Sequence, residues 1–340
     1  MNFRSDNEAP VNTTIMQAII SANTGFDESY GYDAYTIKLQ QEMQNLFGCW
    51  CEVVPLTTGT AANSLAMALT TPAYGSLLCY ESAHMMTDEC GAPEFYSGGA
   101  KLIGIGGDEG KINTGSLENY LAGVGVHGEH ECLVSAISIT QSTEAGTLYS
   151  LQELRQIKSI KEKYGLLLHM DGSRIANAIA SLGCTVAEVT WKSGVDLLSF
   201  GATKNGAMMA EALIIFNPKI AKEIKRMRKR AGQLISKMRF VSAQLLAYLK
   251  DDLWLQLATH ANQQAQSLFH ALKSSHEFIY PVQANEVFLR LNPKAIRQLQ
   301  KLGFEFHVWP GSHDIIRLVF SHATQSKHVV ELIEALKNHS

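Results

Sequence analysis

The segment LLLHMDGSRIANAIASLGCTVAEVTWKSGVDLLSFGATKNG, residues 166–206, decides the fold of this 340-residue chain. Apolar runs at 165–171 and 196–202 enclose a helical pattern at 176–190, which predicts a strand–helix–strand unit. Continuous apolar strands are typical of parallel sheets that are covered on both faces. Each run ends in a small polar turn, and ligands of such folds bind beyond the carboxyl ends of the strands.

The same alternation continues on both sides of this unit. Further strands are predicted at 53–56, 76–81, 101–107, 132–140 and 211–217, and further helices at 60–70, 116–122 and 150–163. The pattern therefore predicts an α/β fold whose main sheet is largely parallel.

After about residue 219 the pattern changes. A long helical run to Tyr248 and a helix at 252–274 precede strands at 286–291, 304–309 and 315–320 and helices at 293–302 and 325–338. We interpret this part as a smaller C-terminal α/β domain with mainly antiparallel pairing. The predicted organisation is an N-terminal arm (1–12), a large domain (13–243) and a small domain (244–340).

Composition excludes several classes of protein. A formal net charge of -3 argues against nucleic acid as a partner. No run approaches the roughly 18 apolar residues of a membrane helix, and the first ten residues contain no apolar signal segment. The six scattered cysteines are interpreted as free thiols in a reducing cytoplasm. The 12 histidines form no paired ligand motif, so no metal is expected.

The turn TTGTAAN, residues 57–63, follows a predicted strand that breaks at Gly59 where a helix begins. Free backbone N–H groups, hydroxyl groups and the positive end of a helix bind phosphate well. The simpler interpretation of this turn is a helix N-cap.

Two further strand ends carry ionisable residues. Asp171 follows one apolar strand, and a buried aspartate needs a cationic partner, such as a protonated pyridine nitrogen. The alternative is an aspartate that caps the next turn and pairs with Arg174. Lys204 follows another apolar strand among small residues, where it could lose its proton and attack a carbonyl. The alternative is a solvated turn lysine.

These three features occur in a meaningful order. The phosphate turn comes first, then Asp171, and Lys204 follows about one strand–helix unit later. All three should therefore lie on one edge of a single sheet, where together they indicate a pyridoxal-phosphate (PLP) site.

At this point the sequence resembles the low-specificity L-threonine aldolases, in the β-eliminating-lyase branch of the fold type I PLP enzymes. The resemblance is carried by FRSDN (3–7), SYGYD (29–33), TTGTAAN (57–63), ESAHMMTDECGAPEF (81–95), ITQSTEAGTLYS (139–150), HMDGSR (169–174), SFGATKNG (199–206), RKRAGQLISKMRF (228–240) and IIRLVFSH (315–322).

The resemblance implies a role for each matching residue. It implies that Lys204 holds PLP as a Schiff base, that Asp171 binds the pyridine nitrogen and that His84 stacks on the ring. The remaining residues expected at the cofactor are Thr58, Gly59, Thr60, Arg174, Thr203, Lys229 and Arg230. The residues expected at the substrate are Ser5, Tyr30, Arg174 and Arg317. Without the resemblance, Arg317 would be interpreted as an ordinary strand residue and His84 as a structural histidine.

The resemblance also implies a dimer or tetramer with the site at the subunit boundary. Tyr30, Gly31 and the basic residues Arg228, Lys229 and Arg230 would then serve the neighbouring subunit's site. The alternative for the basic residues is a solvated helix face.

One position departs from the family pattern. Many relatives have a T-H-x-G segment, whereas this sequence has T-E-A-G, with Glu144 in place of the histidine. Glu144 could act as the catalytic base if its pKa rises toward neutrality, and His84 and Glu89 are the alternatives.

The expected reaction is cleavage of L-threonine, L-allo-threonine or related β-hydroxy-α-amino acids to glycine and an aldehyde. The alternative within enzymes is another fold type I reaction, such as β-elimination or amino transfer, because a scaffold does not fix its chemistry. A protein that binds PLP without catalysis, or a dehydrogenase-like binding protein, is the alternative of another class.

Overall fold

The computed structural model describes residues 1–339. Its strands are β1 (Glu52–Leu56), β2 (Gly75–Tyr80), β3 (Lys101–Ile105), β4 (Gly107–Asp108), β5 (Lys111–Ile112), β6 (Leu133–Thr140), β7 (Leu167–Gly172), β8 (Leu197–Gly201), β9 (Glu211–Ile215), β10 (Glu277–Phe278), β11 (Glu286–Arg290), β12 (His307–Val308) and β13 (Ile315–Val319). Its α-helices are α1 (Thr13–Ala22), α2 (Ala34–Phe47), α3 (Gly59–Thr70), α4 (His84–Thr87), α5 (Ala92–Ser97), α6 (Thr114–Ala122), α7 (Leu151–Tyr164), α8 (Ile175–Leu182), α9 (Val186–Val189), α10 (Ile224–Arg230), α11 (Arg239–Leu249), α12 (Leu253–Leu272), α13 (Pro293–Lys301) and α14 (Ser326–His339).

The seven strands predicted in the first two thirds of the chain form one sheet. Its order is β1-β9-β8-β7-β6-β2-β3. Every pair is parallel except the two that involve β9, so the predicted α/β fold with a mostly parallel sheet is confirmed. The reversal of β9 was not predicted. It brings the first residue of β9 to the edge of the sheet at which β8 and β1 end.

The centre of this sheet is apolar throughout, which explains why its strands could be found in the sequence. All five residues of β8 and all five of β9 are buried. Helices cover both faces, and the largest core cluster extends from Ile15 in α1 to Ala258 in α12. Buried strands of this kind have no polar face, as expected for a parallel sheet between helical layers.

The C-terminal part contains a second sheet. Its order is β10-β11-β13-β12, and all of its pairs are antiparallel, as predicted. The expected strand at 304–309 is reduced to the two residues of β12. The core of this part includes Phe3, so the first residues of the chain pack against its last elements.

Two predicted helices are interrupted. The pattern at 176–190 divides into α8 and α9 because Gly183 has a φ of 62° and ends α8 in the left-handed conformation. The long run to Tyr248 divides into α10 and α11, and Gly232, with a φ of 72°, lies in the connection between them. Helices α1 and α2 were not predicted.

The predicted boundary between residues 243 and 244 falls inside α11. Tyr248 and Trp254 pack in the core of the large sheet, whereas Ala265 in the same helix as Trp254 packs in the core of the small sheet. Helix α12 therefore contributes to both cores, and the boundary stays a prediction.

Within residues 1–339, every helix is too short or too polar to cross a lipid bilayer. The same residues contain no group of three or more His, Cys, Asp and Glu side chains that could hold a metal ion. All six cysteines are free.

Candidate active site

Two adjoining chambers lie beyond the carboxyl edge of the large sheet. The smaller has a cavity volume of about 290 Å³ and the larger about 630 Å³. Asn7, His84 and Lys204 line both of them. Because Lys204 lies where the chambers meet, a group bound in one can reach a group bound in the other through this residue.

The N-terminus of α3 forms one end of the smaller chamber. Thr58, Gly59 and Thr60 line it, as does Thr203. Thr58 caps the helix, because its Oγ1 accepts a hydrogen bond from the N–H of Ala61 at 3.2 Å. The first turn of a helix has free N–H groups and a positive partial charge, so this end of the chamber suits a phosphate.

Asp171 is the second-last residue of β7, is 4% exposed and contacts Asn63 and Ser173, which line the smaller chamber. Its carboxylate accepts hydrogen bonds from Asn63 Nδ2 at 2.8 Å and from the N–H and Oγ of Ser173 at 2.9 and 2.7 Å. Burial alone would raise the pKa of Asp171, but the bonds from Ser173, the charge of Lys204 and the bond from Asn63 together lower it. Asp171 is therefore an anion that can pair with a protonated ring nitrogen.

A chain of buried hydrogen bonds leads to Asn63, which donates to Asp171. Ser138 Oγ lies 2.8 Å from His169 Nδ1, and His169 Nε2 lies 3.0 Å from Ser199 Oγ. Ser199 donates to Asn63 Oδ1 at 2.8 Å. Burial lowers the pKa of His169 to about 4, so this ring is neutral. Its Nε2 must then donate, because the hydroxyl proton of Ser199 is given to Asn63.

Glu89 and His84 form a pair beside this chain. Glu89 Oε1 accepts from Asn63 Nδ2 at 2.7 Å and lies 2.9 Å from His84 Nδ1. The hydrogen bond to Glu89 raises the pKa of His84, against the effect of its burial. His84 is thereby held in one orientation at the mouth of the smaller chamber, where its ring could stack on a cofactor.

Lys204 follows β8 in a short 3-10 helix, Thr203–Asn205. Among the described residues, none forms a hydrogen bond or ion pair with its amine. The next residue, Asn205, is buried and donates to Tyr248 Oη and to the carbonyl of Trp254, both at 2.8 Å. The turn is thus fixed to the core while the amine of Lys204 is available in the cavity.

The larger chamber contains Glu144. Its Oε1 accepts from the N–H of His84 and from Thr140 Oγ1, both at 2.9 Å, while its Oε2 is buried without a hydrogen-bond partner. Burial raises the pKa of Glu144 to about 7. A carboxylate with this pKa can accept a proton near neutral pH.

Arg174 is already engaged by two acids of the protein. Its Nε and Nη2 donate to the two oxygens of Asp6 at 2.7 and 2.9 Å, and its Nη1 lies 3.3 Å from Glu286 Oε2. The alternative considered from the sequence was a pair between Arg174 and Asp171, but Arg174 binds Asp6 and Glu286 instead. The guanidinium edge that suits a carboxylate is occupied by Asp6, so the substrate role of Arg174 stays a prediction.

Arg317 is the freer of the two arginines. It lies on β13, where its Nη1 is 3.8 Å from Glu286 and its Nη2 donates to the carbonyl of Arg4 at 3.4 Å. Its Nε is buried without a partner. The guanidinium group stacks on Trp309, with 5.6 Å from its carbon to the ring centroid. Arg317 therefore has the capacity to bind an incoming carboxylate.

The remaining predicted residues divide into two groups. Ser5 lines the larger chamber together with Arg317. Tyr30 and Lys229 lie away from both chambers and contact each other, with 5.2 Å from the amine to the ring centroid. Within the described chain, Gly31, Arg228 and Arg230 also line neither chamber. That these five residues contribute to the site of a neighbouring subunit stays a prediction.

Sequence reasoning missed several residues that line the chambers or order them. Asn7, Asn63 and Ser173 were inside recognised motifs but had no assigned role. Glu211 and Glu286 are the first residues of apolar strands β9 and β11, and both are buried. A charged residue at the start of an apolar strand is a signal that could have identified these two.

The sequence and the fold are similar to those of known proteins. Residues 2–293 match the family model described as beta-eliminating lyase. The chain is 42% identical to a low-specificity L-threonine aldolase of Pseudomonas sp. over 97% of this chain and 95% of the relative. It is 40% identical to another from Pseudomonas aeruginosa, over 98% of this chain and 96% of the relative.

Among solved structures, a threonine aldolase of Leishmania major is similar to this fold. The TM-score is 0.93 at 28% identity, with 99% of this chain and 98% of the other covered.

Proposed function

Because the chain belongs to the β-eliminating lyase family, we propose that it is a PLP-dependent carbon–carbon lyase that cleaves L-threonine, L-allo-threonine and related β-hydroxy-α-amino acids. The products are glycine and an aldehyde, which is acetaldehyde for threonine. The observation that carries the proposal is the position of Lys204, which lines both the chamber that suits a phosphate and the chamber lined by Glu144 and Arg317.

The residues of the smaller chamber fit PLP. Lys204 would hold the cofactor covalently, the anionic Asp171 would pair with its ring nitrogen, and His84 would stack on its ring. The first turn of α3, with Thr58, Gly59 and Thr60, would bind its phosphate. When bound, PLP supplies an electron sink for the charge that develops on the substrate α-carbon.

The residues of the larger chamber would bind and orient the amino acid. Arg317 would bind the substrate carboxylate through its unpartnered Nε, with Ser5 nearby. Orientation of the carboxylate positions the β-hydroxyl group, and positioning of this kind selects which bond breaks.

We assign the proton transfer to Glu144. Its Oε2 would accept the proton of the β-hydroxyl group as the bond between the α- and β-carbons breaks. His84 and Glu89 are weaker alternatives because they bind each other, and the N–H of Asn63 occupies the same oxygen of Glu89. Glu144, like Glu89, has one oxygen without a partner, but it lines the larger chamber, and burial raises its pKa to about 7.

A product assay tests this function. Purified protein loaded with PLP is incubated with L-threonine, and we expect glycine and acetaldehyde in equal amounts. Formation of 2-oxobutyrate and ammonia instead would mean that the scaffold performs a β-elimination. L-allo-threonine and phenylserine in the same assay would define the range of substrates.

We further propose that the protein is a homo-oligomer whose sites lie near subunit boundaries. Support comes from the surface that contains Tyr30, which is 44% exposed, and Lys229 beside it. Phe26 and Tyr32 in the same loop are also exposed, and large apolar side chains of this kind are typical of interfaces.

We also propose that the protein is located in the cytoplasm. A reducing cytoplasm would keep the six cysteines free, the state in which they occur here.

A further inference from the structure

Glu211 occupies a central position that the proposed reaction does not use. As the first residue of β9, it pairs in register with Leu56 on one side and Gly201 on the other. Leu56 comes three residues before Gly59 in the phosphate turn, and Gly201 comes three residues before Lys204. The antiparallel direction of β9 therefore places this acid between the phosphate turn and the lysine.

The side chain of Glu211 is buried but has unused hydrogen-bonding capacity. It is 7% exposed, and it lines the smaller chamber. Its Oε1 accepts a hydrogen bond from the N–H of Thr203 at 3.3 Å. The side chain of Thr203 also forms a hydrogen bond with this carboxyl group. Because Glu211 lines the smaller chamber, its remaining hydrogen-bonding capacity is available to a group bound there.

The charged neighbours of Glu211 come from several elements. Lys204 follows β8, Asp171 lies near the end of β7 and Tyr248 lies on α11, and all three are electrostatically coupled to Glu211. His84 and Glu89 line the same chamber. Burial raises the pKa of Glu211 to about 7, with Asp171 acting in the same direction and Thr203 and Lys204 against it.

We propose that Glu211 is a phosphate-binding residue of the cofactor site that acts in its protonated form, so that the protein takes up a proton when PLP binds. The inference rests on the proposed PLP site and extends it. The protonated carboxyl group donates its O–H to a phosphate oxygen, while its other oxygen keeps the hydrogen bond from Thr203. The same group as a carboxylate would face a phosphate dianion across a small chamber, and like charges at close range are strongly unfavourable.

The consequence is a specific pH dependence of cofactor binding. The complex holds more protons than its separate components, so affinity for PLP falls as pH rises through the pKa of free Glu211. Between about pH 7 and about pH 9 the PLP phosphate is already a dianion, since its second pKa is about 6. Pyridoxal, which has the same ring and aldehyde without the phosphate, does not place a charge beside Glu211.

The test compares PLP and pyridoxal binding to cofactor-free protein by titration calorimetry, in buffers that differ in ionisation enthalpy. At about pH 8.5, above the pKa of free Glu211, we expect the unchanged protein to take up about one more proton with PLP than with pyridoxal. As pH rises above that pKa, the affinity for PLP should fall by up to about tenfold per pH unit relative to the affinity for pyridoxal. Equal proton uptake with both ligands would overturn the proposal without any substitution.

Two substitutions sharpen the test. In Glu211→Gln the amide N–H donates without titrating, so PLP should bind at least as tightly as to the unchanged protein near pH 8.5, with no extra proton. In Glu211→Leu the donor is lost, so PLP should bind more weakly at every pH while pyridoxal binding is unchanged. An extra proton that persists in Glu211→Gln would assign the uptake to another group and reject the role of Glu211.

The outcomes separate this inference from the proposed function. A protein that binds PLP and cleaves threonine but takes up no extra proton retains the function and loses the inference. Failure of the unchanged protein to bind PLP would overturn both.

Discussion

The two chambers of the site are constructed in different ways. The smaller one consists mainly of residues that follow strands of one sheet, supported by a hydrogen-bond chain through His169 and Ser199. The larger one combines residues from distant parts of the chain, such as Ser5, Glu144 and Arg317. One sheet thus positions most of the smaller chamber, whereas the larger chamber depends on how the small sheet and the N-terminal arm pack against the large sheet.

The difference suggests a division of function. Under the proposed function, we expect the smaller chamber to bind the cofactor and the larger chamber to determine the choice of substrate. Substitutions in the smaller chamber should therefore affect cofactor binding or stability. Substitutions in the larger chamber should affect turnover while the cofactor stays bound.

The largest effect is expected for Lys204→Ala. Removal of the amine eliminates covalent attachment of PLP, so the yellow absorbance and threonine cleavage should both disappear, the latter by at least about 1000-fold. Absorbance spectra and an acetaldehyde assay measure the two effects, with Lys219→Ala on the surface as the matched control. Retention of colour and activity would remove Lys204 from the mechanism.

Next in size is Glu144→Gln, which keeps the shape of the side chain but cannot accept a proton. We expect kcat to fall by about 100-fold or more while PLP stays bound. In the unchanged protein, kcat/KM should rise with pH through about 7, because burial keeps Glu144 protonated below that value. This rise should be absent in the variant.

A pH profile of kcat/KM from about pH 6 to about pH 9 measures the effect. Glu118→Gln is the control, because Glu118 is a half-exposed residue on α6 that pairs with Lys163 and lines neither chamber. An unchanged profile in Glu144→Gln would transfer the role of base to His84 or Glu89.

A smaller loss is expected for Arg317→Ala. A hydrogen bond to a charged group contributes about 1.5–3 kcal/mol, so kcat/KM should fall by about 10- to 100-fold. PLP should remain bound, because Arg317 lines only the larger chamber. Steady-state kinetics and absorbance measure both properties. The control is Arg290→Ala on neighbouring strand β11, and loss of PLP from the Arg317 variant would contradict the division between chambers.

The smallest effect is expected for Ser199→Ala, on stability. The change leaves Asn63 Oδ1 and the N–H of His169 without partners inside the core, and the free energy of unfolding should fall by about 1–3 kcal/mol. Chemical denaturation measures this loss. Ser135→Ala, at a more exposed position on β6, should change it by less than about 0.5 kcal/mol. Equal effects of the two substitutions would mean that the chain does not stabilise the smaller chamber.

The sequence predicted the smaller chamber better than the larger one for a physical reason. Gly59, Asp171 and Lys204 each follow an apolar strand, and the rule that ligands bind at strand ends is sufficient to bring them together. The pairing of Arg174 with Asp6 joins residues 168 positions apart, and no local pattern encodes it. Glu286 was missed although a local signal existed, namely a charged residue at the start of an apolar strand.

The fold shows the same limit. Periodicity identified every strand of the large sheet, because burial on both faces leaves a continuous apolar run. It did not identify the direction of β9, since a buried strand has the same composition in either direction. The breaks at Gly183 and near Gly232 depend on positive φ angles that a glycine permits but does not require.

The N-terminal arm binds both halves of the molecule at once. Phe3 fills the core of the small sheet and its N–H donates to the carbonyl of Glu305, while Asp6 neutralises Arg174 from the large sheet. A chain that lacks these few residues would have a cavity in the core of the small sheet, and Arg174 would keep only Glu286 as an acidic partner. The arm therefore contributes to the stability of both parts of the molecule.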